Sequence, residues 1–355
     1  MATMRPTSSA NRRWLYVLVG TVITISLLAW ALRGTSPMSV VQAIQQAKAE
    51  WLGLGLGTFL ASFSVRAVRW GTLLGAHRHP GGFGIRQSAI FIGFAGNCLL
   101  PANAGEVIRS FVLHRFGRVP LGAALGSIFA ERLLDAVIAF LFLLTPLLPV
   151  TQSHHAGLGS LPLGWIGGVL VVVCAAFLVA ARWPDEIAQF AGRVSRLIGL
   201  GRWTHQIVAT LRAVLSGLDA LQYPRRGITA VIQTVCIWSL TGITYWSVMI
   251  AFGITSPGVI GALFVQSVAS LAIALPSSPG YFGPFEAAIR FALQVYAIPP
   301  DTIVAYAIAL RILMYVSLTT IGLAIAMRLG LSWKDFIPQP PTSSALPSED
   351  GANPK

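Results

Sequence analysis

The sequence predicts an all-α membrane protein with about six transmembrane helices, two re-entrant helical hairpins and an internal inverted repeat. Three observations lead there. Of the 355 residues, 55% are hydrophobic and only 10% charged, and mean hydropathy is +0.71, whereas a soluble domain carries about a quarter charged residues. Apolar runs long enough to span a bilayer recur along the chain, roughly 20 residues being needed for each. Two further apolar stretches are broken by Pro, Gly and charge: NCLLPANAGEVIR at 97–109 and LPSSPGYFGPFEAAIRF at 275–291.

The first span is the uncharged run 14–32, preceded by Arg5, Arg12 and Arg13. Ala29-Trp30-Ala31 resembles a cleavage site, but the run has 19 residues and a signal peptide core only about 7–15, so an uncleaved span is expected. The second is 51–70. Arg66 and Arg69 at its end are expected to snorkel to the interface, and Gly53 and Gly57 form a GxxxG packing signal. The GLGLG at 53–57 has no strand–turn–helix context and is not a nucleotide loop. Next comes the broken stretch 87–108, then a long span at 121–148 with Glu131, Arg132 and Asp135 near its start, and another at 162–181.

Residues 182–226 change character: seven arginines stand against Asp185, Glu186 and Asp219. Ile187, Phe190, Ala191, Val194, Leu197 and Ile198 share one helical face, with Arg193 and Arg196 opposite. Either a helix lying on the membrane surface or a soluble hairpin capping the bundle fits that pattern. A span at 227–252, the broken segment 258–298 and a last span at 301–328 follow. The domain plan is a cytoplasmic N-terminus at 1–13, a transmembrane domain at 14–330 and a Pro- and Ser-rich disordered cytoplasmic tail at 331–355.

The arginines orient the chain. Loops 1–13, 66–86, 109–118, 182–226 and 328–334 are the Arg-rich ones, while the remaining loops are nearly bare, with Arg33 and Lys48 in one and no basic residue in 149–161 or 253–257. All the Arg-rich loops fall on one side only if 87–108 enters from the cytoplasm and returns, and 258–298 does the same from the opposite face. Both termini are then cytoplasmic, in a bacterial inner membrane. The same bias accounts for a net charge of +13 and a pI near 10.6, so no nucleic-acid partner is expected. Cys98, Cys174 and Cys236 form no CxxC pair, and the pairs His77/His79 and His154/His155 lack the spacing of a helical metal site. No metal, cofactor or catalytic residue is expected, and no nucleotide-binding motif suggests direct ATP coupling.

The two broken segments resemble each other. Leu100-Pro101, Gly105-Glu106 and Arg109 recur as Leu275-Pro276, Gly283, Glu286 and Arg290. Glu131 lies 25 residues after Glu106, and Arg311 lies 25 after Glu286. Broken helices at membrane depth are tolerated only where they line a cavity or are covered by protein, and transporters place such breaks around a central site. A charge at the bilayer centre costs at least ~2.5–3.5 kcal/mol. One explanation is internal pairing, Glu286 with Arg290, Glu106 with Arg109, and Arg132 between Glu131 and Asp135. The other is function: Arg109, Arg132, Arg290 and Arg311 gripping an anionic head group, Glu106, Glu131, Asp135 and Glu286 gating or carrying a coupling proton. Pro101, Gly105, Pro276, Pro279, Gly280 and Gly283 would shape the hairpin backbone.

NCLLPANAGEVIRSFVL, ALGSIFAERLLD and LPSSPGYFGPFEAAIRFAL together resemble the lysylphosphatidylglycerol synthase transmembrane-region family, flippase-like integral membrane proteins, over roughly residues 15–330. The shared pieces are PxxxGExxR, ERLLD and PGxxGxFE. The resemblance implies that Pro101, Gly105, Glu106, Arg109, Glu131, Arg132, Asp135, Pro279, Gly280, Gly283 and Glu286 are motif positions. In the multiple peptide resistance factor, a similar region moves lysylphosphatidylglycerol across the bilayer and a soluble domain makes that lipid. The aminoacyl-transfer domain has no counterpart in this sequence, so the expectation is a translocase of anionic or phosphorylated lipids and not an enzyme. The rivals are a non-transporting scaffold for lipid or envelope-glycan synthesis, and a polyprenyl-dependent glycosyltransferase, against which it speaks that the bare loops offer only Glu50 and no Asp.

Overall fold

A computed structural model describes residues 24–75, 81–100, 104–144, 183–197, 223–273 and 279–331, with Gly201, Thr204, His205 and Val208 in addition. The predicted span 162–181, the bare loop 149–161, the tail, Pro101, Pro276, Cys174 and the paired histidines lie outside the described residues. Among the described residues all regular structure is helical, with no strand.

Residues 24–32 form α1. Then come α2 (Pro37–Gln45), α3 (Ala49–Leu73), α4 (Phe83–Leu99), α5 (Gly105–Gly117) and α6 (Leu121–Leu143). After these follow α7 (Pro184–Leu197), α8 (Pro224–Ala251), α9 (Gly258–Ile273) and α10 (Pro284–Gln294). The last helix, α11, runs Pro300–Arg328 through a π-helical turn at Ile312–Val316. Proline opens α2, α8, α10 and α11, where its missing N–H has no intrahelical partner to lose. It also ends α4: Leu100 is extended (φ −112°, ψ 148°), the conformation that the ring of the following Pro101 imposes.

Three helices, α3, α8 and α11, are long and apolar enough to cross a membrane. They coincide within a few residues with the predicted spans 51–70, 227–252 and 301–328. At 23 residues, α6 is about 34 Å long at 1.5 Å per residue, which suffices, but it carries Glu131, Arg132 and Asp135. The helices α3 and α8 pack antiparallel: Lys48 N–H donates to the Ala251 carbonyl at 3.1 Å, the hydroxyls of Thr58 and Thr244 are 2.9 Å apart, and Arg69 reaches Thr234.

Buried side chains gather in two main clusters, one around each broken segment. The first joins α3, α4, α5, the start of α6 and the end of α11, with Trp70, Phe63, Ile90 and Leu113 at its heart. The second joins α8, α9, α10 and the start of α11 around Phe264, Phe285, Met249 and Tyr306. Leu313 and Met314 pack against both. They sit in the π-helical turn, a geometry that often marks functional sites.

Two local expectations fail. Arg66 and Arg69 do not snorkel: Arg69 is fully buried and Arg66 faces an internal cavity. Positions 66 and 69 fall on the inward side of α3, seven and ten residues past the inward-facing Phe59, so interior carboxylates reach Arg69 before the interface does. A Cβ on Gly53 or Gly57, the GxxxG pair, would meet nothing within 4 Å among the described residues. Gly55 between them faces inward instead, and a Cβ there would lie 2.9 Å from Ser247 Oγ. On α7 the buried stripe is Ala188, Gly192 and Ser195, while Phe190, Val194 and Leu197 stay exposed.

Candidate functional site

The helices α4 and α5 form an antiparallel hairpin built on glycine. A Cβ on Gly105 would sit 1.7 Å from the Gly93 carbonyl oxygen, and one on Gly96 would sit 3.2 Å from Gly105 Cα. The backbones therefore touch, as small residues permit, and Gly105 N–H donates to Asn97 Oδ1 at 2.8 Å. The second hairpin, α9 and α10, turns through Pro279–Tyr281 with Gly280 at φ 72° and Gly283 at φ 88°, backbone that glycine adopts without strain. Glu286 caps α10 by accepting the Gly283 N–H at 2.9 Å. The two bends meet: a Cβ on Gly280 would lie 3.4 Å from the Cys98 carbonyl oxygen at the end of α4.

The charges expected to pair within their own helices pair between helices instead. Glu106 takes Arg132 of α6 at 2.8 Å, and Glu286 takes Arg311 of α11 at 2.5 Å. Arg311 also donates to the carbonyls of Gly280 (2.6 Å) and Tyr281 (3.3 Å), holding the bend, and lies 4.2 Å over the Phe282 ring. Arg109 reaches Glu131 at 3.1 Å. Arg69 bridges Glu131 at 2.9 Å and Asp135 at 2.6 Å, and Asp135 also accepts from Trp238 Nε1 at 3.2 Å. Arg290 stands apart, donating to the Ala31 carbonyl at 2.6 Å over the Trp30 ring. Residues three or four apart on one helix face can pair, but Glu106, Arg109 and Glu286 each meet an opposite charge on a neighbouring helix instead.

Where the bends meet, a cavity of about 320 Å³ opens between α3, α4, α5, α6, α8, α9 and α11. Its charged and polar lining includes Arg66, Glu106, Arg132, Asn97, Gln266 and Ser270; its flat walls are Phe59, Phe63, Phe94, Trp238, Tyr245, Tyr281 and Tyr315. Of the expected head-group and gating residues, Glu106 and Arg132 line it, and Tyr281 joins it to the Arg311–Glu286 pair. Arg109, Glu131 and Asp135 stand behind the wall, and Arg290 is remote. Arg66 was missed as a site residue; its signal was a guanidinium spaced seven residues from Phe59, on the face that the aromatics mark as inward. Such a lining, mostly apolar with a few convergent polar groups, is that of a ligand site. No group of three or more His, Cys, Asp or Glu that could hold a metal occurs among the described residues.

Residues 17–322 match the family described as "Lysylphosphatidylglycerol synthase TM region". The chain is 24% identical over 329 residues to a Haloferax volcanii protein named "Glycosyltransferase AglD", an alignment covering 84% of this chain and 51% of that one. It therefore spans about half the length of that relative. It is 21% identical over 324 residues to a Methanothermobacter thermautotrophicus "UPF0104 membrane protein", covering 88% of this chain and 92% of that one. No solved structure matches.

Proposed function

The chain belongs to the lysylphosphatidylglycerol synthase transmembrane-region family, and from that premise we propose that it is a multi-pass translocase of the plasma membrane, not an enzyme, moving an anionic or phosphorylated lipid head group between leaflets. The observation that carries this reading is the cavity where the two broken hairpins meet, with Arg66 and Arg132 set among aromatic walls. Cationic, hydrogen-bonding groups suit a phosphate, and the aromatic faces suit the apolar stem that follows it. In this reading the hairpins are re-entrant, six helices cross, and both termini are cytoplasmic.

The way the hairpins are tied supports reading the chain as an inverted repeat. In each half, a glutamate in the first turn of the hairpin's second helix grips an arginine on the next long helix: Glu106 with Arg132 and Glu286 with Arg311. The spacings, 26 and 25 residues, correspond between the halves. Each pair staples a bend to a long helix beside the cavity. Opening one while the other holds gives alternating access, the device that repeated transporter folds share.

The test is transbilayer movement in vesicles containing the purified protein, with labelled phosphatidylglycerol, aminoacylated phosphatidylglycerol and a polyprenyl phosphate, with and without a proton gradient. Movement of at least one is expected; movement of none, from folded protein, refutes a translocase. In Glu286→Gln, transport should fall about tenfold or more, the size of one charge-assisted hydrogen bond, with the protein still folded. Undiminished transport would remove Glu286 from the gate. The name of the Haloferax volcanii relative favours a second reading of the cargo, a lipid-linked glycan. Preference for the polyprenyl phosphate in the same assay would select it.

A further inference from the structure

We propose that Arg66 is the residue that ligates the phosphate of the bound lipid, and that Gln266 accepts a hydrogen bond from a hydroxyl on the same head group. The inference rests on reading the cavity as a lipid site and assigns its recognition chemistry. It begins with the charges. Of the chain's 12 acidic residues, only Glu106, Glu131, Asp135 and Glu286 lie inside the apolar helices. The others sit at helix ends, in the basic segment 182–226 or in the tail. Glu286 is taken by Arg311. The other three face four arginines, Arg66, Arg69, Arg109 and Arg132, leaving one positive charge in excess.

Geometry assigns the excess to Arg66. Arg69, Arg109 and Arg132 each hold a carboxylate, whereas among the described residues Arg66 has no salt bridge. Its Nε is buried without any hydrogen-bond partner. Its guanidinium lies 5.7 Å from the Phe63 ring and 5.5 Å from the Phe94 ring; the rings orient it without neutralising it. It lines the cavity. Arg109 also has unpartnered nitrogens, but it faces Trp70 and Phe94 behind the wall. An unpaired guanidinium at this depth is unfavourable unless an anion completes it.

Gln266 Oε1 is a second buried atom without a partner, and it lines the same cavity. An amide oxygen needs a donor, which a bare phosphodiester lacks and a head-group hydroxyl supplies. Together the two orphans specify a phosphate ester carrying a hydroxyl, with apolar chains leaving past the aromatic walls.

Binding to the purified full chain in neutral detergent tests this independently of transport. The probes for calorimetric titration are dihexanoyl phosphatidylglycerol, dihexanoyl phosphatidylmethanol (no hydroxyl) and inorganic phosphate. Arg66→Gln should weaken both lipids about 10–100-fold, and Arg66→Lys should restore part of the loss. The melting temperature of ligand-free Arg66→Gln should be unchanged or higher, because an uncompensated charge is removed. Gln266→Leu should weaken phosphatidylglycerol alone. Wild-type protein that binds neither lipid, or Arg66→Gln that binds like wild type, overturns the assignment of Arg66. Equal losses for both lipids in Gln266→Leu overturn that of Gln266. Inorganic phosphate binding as tightly as the lipids overturns a lipid ligand. Protein that binds through Arg66 yet moves no lipid in vesicles overturns only the translocase reading.

Discussion

Gly105→Ala is expected to prevent the first hairpin from closing, with a loss of stability on the order of 4 kcal/mol or more. Overpacking is ordinarily tolerated by a shift of neighbouring side chains. Here the added carbon would meet a backbone carbonyl, that of Gly93, at 1.7 Å, and a carbonyl inside α4 moves only with its helix. Separating the helices would also break the Gly105 N–H bond to Asn97 and shift Glu106 and Arg109 away from Arg132 and Glu131. The expected observation is loss of monodisperse protein on size exclusion, or a melting temperature far below the parent's. Gly53→Ala is the control. Among the described residues an added Cβ there would meet nothing within 4 Å, and alanine in a helix interior gains up to about 1 kcal/mol over glycine. A Gly105→Ala protein that melts with its parent would mean that the α4–α5 contact is looser than described.

That contrast shows what the sequence could and could not convey. Helix existence was legible, because hydropathy and length decide it: α3, α8 and α11 lie close to their predicted bounds. The breaks after Leu100 and around Gly280 were legible too, because Pro and Gly act locally on the backbone. Which glycines pack was not. Gly53 and Gly57 form a motif, but a motif states only that a backbone could be approached; the facing helix decides whether it is. Gly105 was marked by the broken segment, but Gly93 and Gly96, which it packs against, lie on another helix, and nothing along the chain singles them out.

The ionic residues divide in the same way. Their burial was legible from the apolar setting. Their pairing was not, because every partner in the interior comes from another helix. Matching Glu106 with Glu131, and Glu286 with Arg311, set a carboxylate against a guanidinium. In the contacts Glu106 takes Arg132, one residue further on, as Glu286 takes Arg311. The end of an apolar run predicts an interfacial place for Arg66 and Arg69. A helix of 25 residues continues past them, and its inward face carries them into the core.

Arg69→Met is therefore expected to destabilise the protein by about 3–5 kcal/mol, the usual consequence of removing one partner of a buried pair. Arg69 is fully buried, bridges two carboxylates and also donates to Thr234 at 2.9 Å. Without it Glu131 keeps Arg109, but among the described residues Asp135 keeps only the hydrogen bond from the Trp238 indole N–H, so a buried carboxylate is left without a salt bridge. Adding Asp135→Leu should recover most of the loss, since replacing both members of a buried pair with apolar residues of similar size is often close to neutral. Thermal unfolding of the single and double variants in detergent measures this. Recovery, with lipid binding intact, would make the Arg69–Asp135 pair a brace behind the cavity and leave recognition to Arg66. A double variant as unstable as Arg69→Met would contradict that division, because the instability would then not come from the bare carboxylate. Arg66→Gln should behave in the opposite sense, with no loss of stability, because Arg69 is compensated by the protein and Arg66 by the ligand.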